Sequence, residues 1–191
     1  IHEQPRAVKD TLNSVLKDGK FDLTDIGLAE EDIRRTSQIY IVACGSAYHV
    51  GMVAQYVIED LVKIPVRVEL ASEFRYRKPI LDPNGLVIII SQSGETADSL
   101  AALRETKAQG IRTLGIVNVV GSSIAREADK VFYTLAGPEI SVATTKAYST
   151  QLMASYILAI EFAKVKNTIT EEQYDCLLYT SDAADDMQCV D

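Results

Sequence analysis

"GLVIIISQSGETADSL", Gly85 to Leu100, changes character in its middle. Five aliphatic residues, Leu86 to Ile90, run straight into Ser91, Gln92, Ser93, Gly94, Glu95 and Thr96. An apolar run with no polar alternate predicts a strand buried on both faces. The polar residues then stand where that strand turns into a helix, predicted from about Thr96 to Gln109 and ended by Gly110.

The same alternation extends to either side. "IYIVACG" (Ile39 to Gly45) and "VRVELAS" read as strands around the helix "AYHVGMVAQYVIEDLV". "RTLGIVNV" and "KVFYTL" read as strands around the short helix "SSIAREAD", and a long apolar helix is predicted from about Thr144 to Lys164. Ahead of these, "IHEQPRAVKDTLNSVL" has apolar residues at helical spacing, with Pro5 suited to a first turn and Gly19 closing the helix. Buried strands alternating with helices predict an α/β fold, a three-layer αβα sandwich around a parallel sheet of about five strands. On such sheets ligands bind at the carboxyl ends of the strands, in the first turns of the following helices.

Ser91 to Thr96 lies at that edge. Gly94 permits close backbone approach, and free N–H groups at a helix start favour an anion. Ser91, Ser93 and Thr96 add hydroxyls and Gln92 an amide, a neutral donor set suited to phosphate. The simpler alternative is that Ser93 or Thr96 caps the helix, with Glu95 supporting its first turn. Four polar side chains and a glycine directly after a buried strand favour the ligand cradle.

Two further turns share the edge. In "ACGSAYHVG" (Ala43 to Gly51), Gly45 and Ser46 end the first strand. Cys44 reads as a buried small residue rather than a nucleophile, because no base is evident beside it. His49 reads as packed or surface. In "GPEISVATTKAYSTQ" (Gly137 to Gln151), Gly137 and Pro138 break the chain, and Thr144, Thr145 and Lys146 open the last helix. Lys146 opposes the helix dipole there, a mild hint of another task. Glu139 could serve as an acid or base, although an exposed loop carboxylate is the commoner reading.

The composition narrows the partners. The 191 residues are 47% hydrophobic and 24% charged, with a formal net charge of −8. This disfavours a nucleic-acid or anionic-membrane surface and leaves an anionic small molecule open. No secretory leader is recognised, and the most apolar helix candidate, "LMASYILAIEFA" (Leu152 to Ala163), is too short for a bilayer and carries Glu161. A cytoplasmic protein is expected. The last sixteen residues, "CLLYTSDAADDMQCVD" (Cys176 to Asp191), break the helical pattern before them and resemble a translated sequencing-library adaptor. They are expected to be non-native. Without them the net charge is −4 and Cys44 is the sole cysteine, so neither a disulfide framework nor a cysteine metal site is expected.

The motifs "CGSAYH", "ELASEFRYR", "SQSGETADSL", "NVVGSSIAREAD" and "GPEISVATTKAYSTQ", in that order, resemble the flavodoxin-like sugar isomerase (SIS) domain. Within it they resemble the first sugar-isomerase lobe of the glutamine–fructose-6-phosphate aminotransferase (isomerizing) family, the glucosamine-6-phosphate synthases, from about His2 to Asp175. "SQSGET" marks the superfamily; "ASEFRYR" followed by "EISVATTKA" is more specific. The chain is thus expected to divide into an N-terminal linker and helical segment over residues 1–38, a SIS domain over 39–175 and the adaptor-like tail over 176–191. The resemblance implies phosphate binding by Ser91, Gln92, Ser93 and Thr96, and sugar contacts near Ser46, Val142 and Thr144. Ala47 stands where many members have Ser. Lys146 matches the family's "TKA" lysine, with no role assigned.

The family converts fructose 6-phosphate and glutamine to glucosamine 6-phosphate and glutamate with no metal or redox cofactor. Its glutaminase nucleophile comes from an amino-terminal domain. A second lobe and a carboxyl-terminal tail supply its acid/base glutamate, ring-opening histidine and a lysine. None of these is expected on the 191 residues, so the chain is expected to hold fructose 6-phosphate or glucosamine 6-phosphate without turning over, and to form a homodimer within the full-length enzyme. The alternatives are a stand-alone sugar-phosphate isomerase such as an arabinose-5-phosphate isomerase, a non-catalytic sugar-phosphate sensor controlling a DNA-binding partner, and a deglycase.

Overall fold

The aliphatic runs read from the sequence pair into one parallel sheet in the computed structural model, which describes residues 1–141 and 144–183. A helix, α1 (Gln4–Asn13), leads to a two-stranded hairpin, β1 (Leu16–Lys17) and β2 (Lys20–Phe21), then to a 3₁₀ turn at Thr24–Ile26 and α2 (Glu30–Arg35). The main sheet follows: β3 (Ile39–Ala43), α3 (Ser46–Val62), β4 (Val66–Leu70), α4 (Ala71–Arg77), β5 (Leu86–Ser91), α5 (Ala97–Ala108), β6 (Arg112–Val117), α6 (Ser123–Glu127) and β7 (Lys130–Tyr133). Two helices close the described chain, α7 (Lys146–Val165) and α8 (Glu171–Ala183).

The strand order is β4-β3-β5-β6-β7, all parallel. Every residue of β3 and β5 is buried, which is why their sequences carry no polar alternate. The strand period of two divides their side chains between two cores. Ile39, Ile41, Leu86, Ile88 and Ile90 face α3 and α7. Tyr40, Val42, Val87 and Ile89 face the other way, with Phe74 of α4, Leu103 of α5 and Ile124 of α6. The three-layer αβα sandwich with five parallel strands is therefore as the sequence predicts.

Three local expectations are corrected. Gly19 does not close the first helix: α1 ends at Asn13, and Gly19, at φ 71°, sits in the turn between β1 and β2. The fourth strand stops at Leu70, because Ala71 and Phe74, three apart and fully buried, start α4 instead. Nor does the helical pattern break at Cys176. Helix α8 runs through it, since Tyr174, Leu177 and Leu178 put one apolar stripe against the core formed with α7. Among the described residues no helix is long and apolar enough to cross a membrane.

Tyr174 anchors α8. Its hydroxyl accepts the Phe21 N–H at 3.1 Å and donates to Glu161 Oε2 of α7 at 3.3 Å, with Lys164 Nζ 4.2 Å from the ring centroid. Burial lifts the Glu161 carboxyl above the ordinary range despite Lys164 at 3.9 Å, and pushes Tyr174 up to about 12. A carboxyl whose folded pKa is raised holds extra protons in the native state. Stability then falls as pH rises from the ordinary value through the raised one. Glu161→Gln, which keeps the acceptor for Tyr174, is expected to raise the thermal midpoint at neutral pH, with the gain fading toward about pH 4. Thermal melts across that range check this; a gain independent of pH would contradict it.

Candidate functional site

The strand order reverses between β3 and β5: the chain leaves β3 toward the β4 edge and returns to build outward from β5. The helices after these strands lie on opposite faces, α3 on one and α5 on the other. Such a reversal leaves a crevice at the carboxyl ends of the two strands. Ala43 pairs beside Ile90, so the turn after Ala43 and the turn after Ser91 open side by side.

In the second turn Ser91 is buried and works from behind. Its hydroxyl accepts the Gly94 N–H at 3.1 Å and shares a hydrogen bond with Thr96 Oγ1, also at 3.1 Å. Ser93 Oγ accepts the Glu95 N–H at 3.2 Å. Gln92, Ser93 and Thr96 are half-buried. Thr96 is the N-cap residue of α5, yet no side chain caps that end. The N–H groups of the first turn are thus left without intrahelical partners. The simple capping alternative does not describe this turn.

Two carboxylates in this stretch would repel an anion, and both are turned away. Glu95 accepts the Ser123 N–H and the Ser123 hydroxyl, each at 2.7 Å, on the first turn of α6. Those two bonds, with Arg126 beyond, hold its carboxyl below the usual range, so it stays ionised at neutral pH. Asp98 pairs with Arg75 of α4 at 2.9 Å. The "FRYR" motif thus places a guanidinium against the acid nearest the helix start, while Arg77 pairs with Glu69.

Gly94 adopts φ 67°, in the left-handed region. A Cβ there would stand 2.0 Å from Ser122 Oγ. Ser122 Oγ is buried and has no hydrogen-bond partner among the described residues. The turn is also fixed by Gly94 O, which accepts the Ile124 N–H at 3.0 Å, and by Gln92 O, which accepts the Asn118 N–H at 3.1 Å.

In the first turn Ser46 is exposed as the first residue of α3, after Gly45. Cys44 is half-buried, with the Ser99 hydroxyl 3.9 Å from its sulfur. His49 is exposed and meets Tyr48 edge-on at 5.7 Å. In the third turn Glu139 has a purpose the sequence did not give it. Its carboxylate accepts the N–H groups of Ser141, Thr145 and Ala147 at 3.3, 3.2 and 3.3 Å, capping α7. Burial opposes its charge, but those bonds and the nearby Lys146 hold its carboxyl below the usual range. Lys146 itself pairs with Glu3 of the amino-terminal segment. Thr144 is half-buried just before α7, and Val142 lies outside the described residues.

The described residues expected to bind are thus spread over three turns at one edge, with Ser91 and Thr96 sharing a hydrogen bond and Ser93 accepting the Glu95 N–H within one of them. Sequence reading did not single out Asn118, Ser122 or Ser123, because Asn118 and Ser123 bond to groups far away in the chain and Ser122 meets Gly94 only in the folded turn. Cavities lie beside the third turn. One of about 220 Å³ is lined by Glu3, Arg6, Asp10, Gly137 and Lys146 among others, and one of about 370 Å³ by His2, Glu3, Glu139 and Lys146 among others. Both are walled partly by acids, whereas the Ser91–Thr96 turn presents neutral donors.

The model of the SIS domain family matches residues 32–161. Glutamine–fructose-6-phosphate aminotransferase (isomerizing) of Clostridium tetani is 57% identical over 176 residues, covering 92% of this chain and 29% of the relative. The enzyme of the same name from Clostridium acetobutylicum is 56% identical over 176 residues, with the same coverage of 92% and 29%. The solved C-terminal domain of glucosamine-fructose-6-phosphate aminotransferase from Francisella tularensis matches with a TM-score of 0.93 at 43% identity, covering 97% of this chain and 53% of that one. The chain therefore spans less than a third of the curated relatives it matches.

Gly94→Ala is expected to destabilise the fold by at least about 2 kcal/mol, from left-handed strain plus overlap with Ser122. Adding Ser122→Gly should recover the overlap and leave the strain. Urea unfolding of both variants checks this; equal losses in the single and double variants would contradict it.

Proposed function

Because the chain belongs to the SIS domain family, we propose that it holds the phosphate of a hexose 6-phosphate in the turn from Ser91 to Thr96. The observation that carries the proposal is the uncapped start of α5 behind a turn of neutral donors, with Glu95 and Asp98 both bonded elsewhere. A phosphate dianion at this point would receive first-turn N–H groups and the Ser93 and Thr96 hydroxyls, and would meet the positive end of the helix dipole. Gln92 adds an amide. Ser91 braces the turn through Gly94 and Thr96 rather than reaching outward.

The phosphate is the handle, and the carbon chain extends toward the neighbouring turns. Ser46 at the start of α3 and Thr144 before α7 are proposed to contact the sugar, and the family resemblance extends that proposal to Val142. Binding of this kind fixes orientation and supplies no proton transfer, so no residue of the chain is assigned a catalytic role. The carboxylate most suited by position, Glu139, is occupied in capping α7 and is held ionised.

The similarity to the aminotransferases supports a specific setting. We propose that residues 39–175 are the first sugar-isomerase lobe of an enzyme that makes glucosamine 6-phosphate and glutamate from fructose 6-phosphate and glutamine. A homodimeric, cytoplasmic enzyme is the proposed whole, and residues 176–191 are proposed not to belong to it.

Calorimetric titration of the 191-residue chain with fructose 6-phosphate tests the binding claim. Ser93→Ala and Thr96→Ala each remove a hydrogen bond to a charged group and are expected to weaken affinity about tenfold or more. Unchanged affinity in both variants, or no binding by the unsubstituted chain, would overturn the reading. With ammonia and fructose 6-phosphate supplied, the chain alone is expected to form no glucosamine 6-phosphate.

A further inference from the structure

Asn118 lies just beyond β6, between the phosphate turn and the turn that leads to α7. It bonds to both. Its backbone N–H donates to Gln92 O at 3.1 Å, which fixes it to the phosphate turn. Its side-chain Nδ2 donates to Gly137 O at 2.7 Å, and its Oδ1 accepts the Ala136 N–H at 2.8 Å. The Thr134 hydroxyl lies 3.5 Å from the same Oδ1.

Only a short side chain that carries a donor and an acceptor together can make this pair of bonds. The bonds flank a costly conformation. Leu135, between Thr134 and Ala136, has φ 35°, a region that L side chains seldom occupy. Such a residue persists only when its surroundings over-determine it. Here Asn118 holds the segment just after Leu135, and the Thr11 hydroxyl of α1 donates to Thr134 O just before it. From Gly137 the path continues to Glu139, whose carboxylate fixes the start of α7. Through its backbone N–H and its side chain, one residue thus ties Gln92 to the loop that carries Thr144.

We propose that Asn118 is a positioning residue that sets the separation between the phosphate turn and the loop before α7, and thereby makes the site favour a hexose 6-phosphate over bare phosphate. This rests on the phosphate reading above. Asn118 need not touch the ligand. It fixes how far the sugar contacts stand from the phosphate contacts, so its loss leaves the phosphate turn intact and misplaces the loop.

The test compares two probes, fructose 6-phosphate and inorganic phosphate, titrated into the unsubstituted 191-residue chain, Asn118→Ala and Asn118→Asp. Asn118→Asp keeps the acceptor for Ala136 and sets a carboxylate oxygen against Gly137 O, so it carries the test should Asn118→Ala fail to fold. Both are expected to weaken fructose 6-phosphate about tenfold, the loss of one net hydrogen bond's worth of placement, and to leave inorganic phosphate unchanged. An equal loss for both probes would mark Asn118 as merely structural and overturn the proposal. Retention of the full preference in a folded variant would overturn it as well. If the unsubstituted chain binds neither probe, the phosphate reading falls and this inference with it; if it binds both and the variants keep the preference, only this inference falls.

Discussion

The pairing of β3 with β5, from Ile39 beside Leu86 to Ala43 beside Ile90, is the constraint on which the site depends. It is where the strand order reverses, and its two strands send their helices to opposite faces. Both strands are buried along their whole length, so a register slip would place their side chains in the wrong core. The crevice at their carboxyl ends is therefore a consequence of packing. Two chemically unlike turns, one around Gly45 and Ser46 and one from Ser91 to Thr96, share an opening because their strands share a ladder.

The electrostatics of that opening depend on what is removed from it. A chain of net charge −8 must keep its acids away from an anion, and the two nearest the phosphate site, Glu95 in the turn and Asp98 in α5, are committed elsewhere. Glu95 serves the first turn of α6, and Asp98 is neutralised by Arg75. The same economy holds in the third turn, where Glu139 caps α7 and Glu3 meets Lys146. The cationic side chains near that turn thus have acids beside them, and the concave surface there is mixed in charge. Depth alone would point to the cavities around Lys146; the unpaired N–H groups at α5 point to Ser91–Thr96, and the chemistry of a phosphate favours the latter.

Much of the fold was legible because burial on both faces leaves a plain signature. "LVIII" and "IYIVA" could be little else than central strands, and each was followed by a glycine-bearing turn. Elements that depend on distant partners were not legible. The hairpin around Gly19 and the seven-residue α4 are too short to carry a period, and α8 is held by Tyr174 against Phe21 and Glu161, contacts that no local pattern announces. The site divides in the same way. The hydroxyls of Ser91, Ser93 and Thr96 were visible as a cluster, but the internal duty of Ser91 was not, since its partners Gly94 and Thr96 meet it only once the turn has folded. Glu139 read as an exposed loop acid, and Asn118 did not stand out, because each acts on backbone groups that only the tertiary structure brings to it.

The most direct test of the account is where a hexose 6-phosphate perturbs the backbone amides of the isotopically labelled chain. Titration with fructose 6-phosphate, followed by heteronuclear NMR, should move the amides of Ser93, Gly94, Thr96, Ala97 and Asp98 first and furthest. Shifts centred instead on Arg6, Gly137 and Lys146, with the turn after β5 unmoved, would contradict it.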